Sequence, residues 1–302
     1  MQKTSSNRIV TNTTLSEIPT NLPIQVTSFV GREKVIADLS SLLGGDTGFA
    51  ITQSGMQTTL RPTFPARLIT LTGAGGSGKT RLACQVAMEA LENFADGVCF
   101  IELASLRDPS QFLNTVAKAL GVLGESGRPL LATLLDWLAA KRILLILDNC
   151  EHLLDACAHF VSEAMQTSRT LYFLVTSREA LSIAGELTYP TPLLDAPPAS
   201  LWPITMADVI QFEAVRLFID RAQMVLPTFR LTETNAQAIA EICRRLDGIP
   251  LAIELAAVRV STLPVETIAA RLDDRFRLLG EDNRRALPRH KTLRALIDWS
   301  YD

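Results

Sequence analysis

The run Gly73-Ala74-Gly75-Gly76-Ser77-Gly78-Lys79-Thr80 meets every fixed position of the pattern G-x-x-x-x-G-K-[ST]. The chemistry such a run performs is the gripping of a polyphosphate. Glycines let the backbone wrap so that successive N–H groups face phosphate oxygens, and the N-terminus of the helix that follows adds partial positive charge. In that setting Lys79 reaches the β- and γ-phosphates and the Thr80 hydroxyl ligates Mg²⁺, with Arg81 next in line at the ligand. The ligand expected is a nucleoside triphosphate, ATP with Mg²⁺. The plain alternative is a glycine-rich turn that only reverses the chain.

A phosphate loop needs an acidic partner at the end of a neighbouring strand. Arg142-Ile143-Leu144-Leu145-Ile146-Leu147-Asp148 supplies one, and Asp148 is expected to hold Mg²⁺ directly or through water; capping the next helix is the simpler role. Position 149 is Asn, where many hydrolytic relatives of this architecture carry a second carboxylate. An amide orients water but accepts its proton poorly, so slow turnover is expected. Glu151 lies close by, but two positions along a starting helix would point it elsewhere. Leu174-Val175-Thr176-Ser177-Arg178 ends a further strand, and Arg178 there can reach and report a γ-phosphate; a solvated surface arginine is the alternative. The catalytic set expected is therefore Lys79, Asp148 and Arg178. Cys150, His152, Cys157 and His159 imitate a metal motif, but residues two apart on a helix diverge by about 200°, so Cys150 and His152 cannot share an ion.

Positioning these groups takes alternating elements. Short apolar strands are predicted at Leu68–Leu71, Val98–Leu103, Ile143–Leu147 and Leu171–Thr176, with an edge strand at Glu186–Tyr189 stopped by Pro190 and Pro192. Helices are predicted between them, at Arg81–Leu91, Gln111–Leu120, Leu130–Ala140 and Leu153–Met165, and earlier on a face carrying Val35, Ile36, Leu39 and Leu42. Unbroken apolar strands alternating with helices indicate an α/β fold: a parallel sheet with helices on both faces. Beyond about residue 205 only helical periods remain, at Ala207–Ala222, Asn235–Leu246, Pro250–Val260 and Val265–Leu272. The expected organisation is a disordered lead-in over 1–21, a P-loop nucleotide-binding domain over 22–203 containing a long exposed loop at 44–66, and a helical domain over 204–285.

Composition supports a globular chain. Of 302 residues, 47% are hydrophobic and 20% charged, enough for a core beneath a soluble surface. The net charge of −3 gives no electrostatic reason for direct nucleic-acid binding. Five cysteines at irregular spacing argue against a disulfide framework and for a reducing cytoplasm. The N-terminus lacks a signal-like apolar stretch, and no apolar run is long enough to span a bilayer.

Taken in order, Phe29-Val30-Gly31-Arg32-Glu33, the phosphate loop, Leu147-Asp148-Asn149-Cys150-Glu151-His152, Thr176-Ser177-Arg178-Glu179 and Gly248-Ile249-Pro250-Leu251-Ala252 resemble the STAND class of signal-transduction ATPases. The likeness is to the bacterial transcriptional-regulator branch related to NB-ARC proteins, and it covers Leu22 to Asp302. The resemblance implies that Val30, Gly31 and Arg32 lie along adenine and ribose, that Pro250 closes over the base, and that Arg178 senses the γ-phosphate. It also implies that Arg289–Arg294 and Asp298–Tyr301 begin a winged helix over 286–302. The stretch 44–66 is longer than the family usually has, and the chain stops just inside the winged helix, as in a nucleotide module of a larger regulator or a truncated relative. The function expected is an ATP/ADP switch for signal transduction or transcription, with protein partners or self-association. An ATP-hydrolysing remodelling or initiator machine is the second reading, and a direct DNA-binding regulator the third.

Overall fold

The computed structural model describes residues 18–44, 66–201 and 204–272. Most of the loop at 44–66, the end of the expected helical domain and the expected winged-helix start lie outside the described residues. The sheet part runs α1 (Glu33–Gly44), β1 (Leu68–Thr72), α2 (Lys79–Glu89), β2 (Val98–Glu102), α3 (Phe112–Leu120), α4 (Leu130–Ala139), β3 (Ile143–Asp148), α5 (Leu154–Thr167), β4 (Leu171–Ser177) and β5 (Glu186–Pro190). The helical part follows with α6 (Met206–Val209), α7 (Glu213–Val225), α8 (Ala236–Arg245), α9 (Pro250–Val258) and a helical stretch from 265 to 272.

The strands form one sheet in the order β2-β3-β4-β1-β5, every pair parallel. β3 and β4 are buried along their whole length, which is why their sequences show no polar alternation. Alternate residues nevertheless serve different faces. Leu145, Leu147, Phe173 and Val175 pack with Phe112 of α3 and Phe160 of α5. Leu144, Ile146 and Leu174 pack with Leu39 of α1 and Leu82 and Val86 of α2. Each fully buried side chain of this kind contributes about 1.5–3 kcal/mol. Phe160 meets Phe112 and Phe173 edge-on, at centroid separations of 5.8 and 6.2 Å.

After β1 the chain skips over β4 and β3 to reach the far edge at β2. Ligands of open α/β sheets bind beyond the carboxyl ends of the strands, where the winding direction changes. Here that place is the end of β1 beside β4, with β3 next along.

Three expectations need correction. Residues 18–21, assigned to a disordered lead-in, lie against edge strand β2. Thr20 bridges Val98, and the Asn21 side chain accepts from the Phe100 N–H at 2.6 Å while donating to its carbonyl at 2.9 Å. An edge strand has unpaired backbone groups, and a side-chain amide satisfies them as a neighbouring strand would. The helix over Ala207–Ala222 is two helices. Thr205 and Asp208 form a reciprocal capping box on α6, and Phe212 turns extended to start α7. On α1, Leu43 is buried together with Ile36 and Leu39, whereas Leu42 is only partly covered.

The helices after β5 build their own core around Val215, Phe218, Ile239, Ile242, Ile253 and Ile268. Leu194 already belongs to it, ahead of the expected boundary near residue 204. Among the described residues no helix is long and apolar enough to cross a membrane.

Candidate functional site

The loop after β1 folds back on itself before α2. Its Lys79 side chain, half-buried, donates to the Gly73 and Ala74 carbonyls at 2.8 and 3.1 Å. Burial lowers the Lys79 pKa, opposed first by the negative charge of Glu151 and assisted by the positive charge of Arg178. Gly78 precedes α2 at φ 85°, a left-handed conformation that L side chains rarely adopt, and a Cβ there would lie 3.1 Å from the Arg32 guanidinium.

Asp148, at the end of β3, is buried beneath this loop. Its Oδ1 accepts from the Thr80 hydroxyl at 2.7 Å and from the Thr176 hydroxyl of β4 at 2.7 Å. The carboxylate is thus aimed at the start of α2 by hydroxyls from two elements. Thr176 in turn accepts the Asn149 N–H at 2.9 Å. Asn149 stands at φ 66° and ψ 52°, a left-handed conformation that Asn tolerates better than most residues.

That turn corrects the expectation for Glu151. The left-handed residue and the single 3₁₀ turn over Cys150–His152 bring Glu151 round to the cavity, where its Oε1 accepts from Arg178 Nε at 3.0 Å. A regular helix from Asn149 would have directed it away; the local backbone does not follow that path. His152 instead contacts the Leu106 carbonyl at 2.7 Å, and Cys150 and Cys157 are buried in the core. All five cysteines are free and buried, with burial raising the thiols of Cys84 and Cys99 to about 11.

A cavity of about 320 Å³ opens above these groups, within the size range of small-molecule sites. Lys79, Thr80, Asn149, Glu151, Thr176 and Arg178 line one side of it, and Phe29, Val30, Leu194, Leu217, Pro250 and Leu251 the other. Arg32, Arg81, Arg221 and Glu254 line it as well, so both parts of the chain contribute charged and apolar side chains. The two parts of the chain touch at the loop itself, since the Leu251 N–H of α9 donates to the Gly76 carbonyl at 3.3 Å.

Of the residues singled out from sequence, Val30, Arg32, Gly75, Gly76, Gly78, Lys79, Thr80, Arg81, Arg178 and Pro250 line the cavity. Gly31, Gly73, Ala74, Ser77 and Asp148 are not among the lining residues. Arg32 is buried, and its guanidinium donates to the Ser77 carbonyl at 2.6 Å. It braces the underside of the loop, and desolvation lowers its pKa to about 10. Arg81 donates to Glu254 of α9 at 3.1 Å and to the Thr27 and Ser28 carbonyls at 3.0 and 2.8 Å.

No local pattern marks Glu213, Arg221 or Glu254, and Thr176 enters only within longer runs such as Thr176–Glu179. Thr176 left a trace, a hydroxyl inside an otherwise apolar strand. Glu213 accepts from the Arg32 N–H at 2.6 Å and the Asp195 N–H at 3.2 Å. Neither it nor Glu254 leaves a local signal, because their partners are far away in sequence.

Residues 60–184 match the family model described as AAA domain. A Mycobacterium tuberculosis protein that carries the provisional name of an HTH-type transcriptional regulator is 46% identical over 235 residues, or 78% of this chain and 25% of that protein. The chain thus spans about a quarter of its length. An uncharacterized protein of the same organism is 37% identical over 276 residues, 91% of this chain and 62% of its own. Among solved structures, the STAND protein with a tetratricopeptide repeat sensor from Pyrococcus horikoshii aligns with 92% of this chain and 41% of its own, at TM-score 0.48 and 13% identity. Residues 60–184 are thus similar to an AAA domain, and the similar proteins include ones named as transcriptional regulators.

Proposed function

We propose that this chain is an ATP/ADP-binding switch module of a signal-transduction or transcriptional regulator, with slow ATP hydrolysis. The observation that carries the reading is the cavity walled on one side by the phosphate loop and Arg178 and on the other by α7, α9 and Leu194. A ligand seated there touches both parts of the chain. A ligand shifts an equilibrium between arrangements only by its differential contacts with them. ATP and ADP differ by the γ-phosphate, and Arg178, in the lining with Lys79 and Thr80, reads that difference by exchanging Glu151 for it.

In this reading the amides from Gly73 to Thr80 cradle the phosphates and Lys79 neutralises the β- and γ-phosphates. Val30, Gly31 and Arg32 flank adenine and ribose, and Pro250 closes over the base. A hydroxyl and a carboxylate already joined at 2.7 Å form the hard-oxygen donor set that Mg²⁺ selects. Thr80 and Asp148 would hold the ion, which when bound offsets phosphate charge. We also read 22–203 and 204–285 as nucleotide-binding and helical domains, and protein partners or self-association as the route of output.

The test is to denature purified protein and identify the nucleotide released. ADP or ATP near one per chain supports the reading. If calorimetry on folded protein with magnesium detects no binding of any adenine nucleotide, the reading fails.

A further inference from the structure

We propose that Glu151 activates the attacking water for ATP cleavage at this site, and that Arg178 restrains it until a γ-phosphate draws the arginine away. The inference rests on the nucleotide reading above and deepens it by naming the proton acceptor.

The other candidates are committed or unsuited. Asp148 is buried with Oδ1 engaged by two hydroxyls, as a carboxylate set for a metal would be. Asn149 is an amide and accepts a proton poorly. Among the described residues two carboxylates line the cavity; Glu254 is held by Arg81 and Arg221, which leaves Glu151, in the lining with Lys79, Thr80 and Arg178. Its side chain is 19% exposed, against 62% for Arg178. Oε1 is held by Arg178, whereas Oε2 is buried and has no hydrogen-bond partner. A buried carboxylate oxygen left without a donor is unfavourable and calls for an explanation. Closed to solvent in the resting pair, Oε2 meets a water's donor only once Arg178 lets the carboxylate turn to the cavity. Glu151 is also the foremost negative charge acting on Lys79, which places its field at the lysine expected to meet the γ-phosphate.

The pair with Arg178 is built to exchange. An ion pair with so exposed an arginine is weak. A phosphate offers the guanidinium more charge and a two-pronged fit, so the γ-phosphate outcompetes the carboxylate. Arrival of ATP therefore does two things at once: it engages Arg178 and it frees Glu151. In the cleavage step a water oxygen forms a bond to the γ-phosphorus as its proton passes to the Glu151 carboxylate. The bond from γ-phosphorus to the β–γ bridging oxygen breaks, and its electron pair stays on ADP. Glu151 then releases the proton to solvent.

The experiment compares the full chain with Glu151→Gln and Glu151→Asp, using single-turnover cleavage of ATP with magnesium and calorimetric affinities for ATP and ADP. Glu151→Gln is expected to slow cleavage by about 100-fold or more, the range of general-base effects. It should also tighten ATP by roughly two- to fivefold, since Arg178 no longer has a competing carboxylate, and leave ADP unchanged. Glu151→Asp should retain part of the rate. Equal cleavage rates in wild type and Glu151→Gln overturn the proposal, as does a wild-type chain that binds ATP and never cleaves it. Absence of ATP binding in the folded wild type instead removes the underlying nucleotide reading, and this inference with it.

Discussion

Thr176 donates its hydroxyl to Asp148 Oδ1 at 2.7 Å and accepts the Asn149 N–H at 2.9 Å, so one side chain on β4 orients both the carboxylate ending β3 and the turn that follows it. The direction of Asp148 is therefore set by the neighbouring strand as well as by its own. The same turn carries Glu151 to the cavity, so the two acidic residues share a support.

Thr176→Val should damage that support while filling nearly the same volume. It leaves the Asn149 N–H without its acceptor and removes one of two donors to Asp148 in a buried setting. A loss of about 1–3 kcal/mol is expected in urea denaturation. Magnesium-dependent ATP affinity should weaken further than metal-free affinity. Equal weakening of both would deny Thr176 its hold on Asp148.

Gly31→Ala acts from the other side of the loop. Gly31 has φ 77°, and an added Cβ would lie 2.8 Å from Glu213 Cδ. The strain of a left-handed alanine is about 1–2 kcal/mol. Displacing Glu213 also deprives the Arg32 and Asp195 N–H groups of their shared acceptor. Thermal unfolding should reveal a destabilisation of about 2 kcal/mol or more, with nucleotide affinity lowered in parallel.

Lys79→Ala should abolish triphosphate binding without unfolding the sheet. The ammonium serves two loop carbonyls and no core contact, so circular dichroism should be unchanged. Unaltered ATP affinity in the folded variant would remove the lysine from the phosphate site.

Arg178→Ala should cost about tenfold or more in ATP affinity, the worth of a hydrogen bond to a charged group, and little for ADP. Equal losses for both nucleotides, measured by calorimetry, would end its role as the reader of the γ-phosphate.

The sheet and the phosphate loop were legible in the sequence because their signals are local. Buried parallel strands such as Ile143–Asp148 are continuous apolar runs, and the loop's glycines and Lys79-Thr80 stand together. A helical period continued through Asn149 directs Glu151 away from the cavity, whereas a left-handed residue there redirects the chain, and one residue's φ is invisible to periodicity. Glu213 was missed for a different reason. It meets Arg32 across 181 positions of sequence, a distance no local pattern encodes. The break before α7 belongs with it, since Phe212 turns extended in the residue preceding that contact.

Glu254→Gln probes the joint between the two parts of the chain. Glu254 Oε1 on α9 accepts from Arg81 of α2 at 3.1 Å and from Arg221 of α7 at 2.9 Å. Arg221 is buried, and it also reaches Asp220 and the Ser28 carbonyl, so the substitution does not strand it. What it removes is the negative charge between two guanidinium groups; burial already lowers the Arg81 pKa, Glu254 opposes that lowering, and the charge of Arg221 adds to it. The amide still offers one acceptor oxygen, which limits the loss to about 1–3 kcal/mol. The damage should be directional. α9 is tied to the phosphate loop by the Leu251 N–H on the Gly76 carbonyl, and loosening α9 exposes that amide first. Hydrogen exchange at Leu251 should accelerate by tenfold or more, a change of about 1.4 kcal/mol in local opening, while amides in β3 and β4 stay protected. Unchanged exchange at Leu251 in a destabilised variant would show that Glu254 supports the helical part alone and takes no part in docking it on the loop.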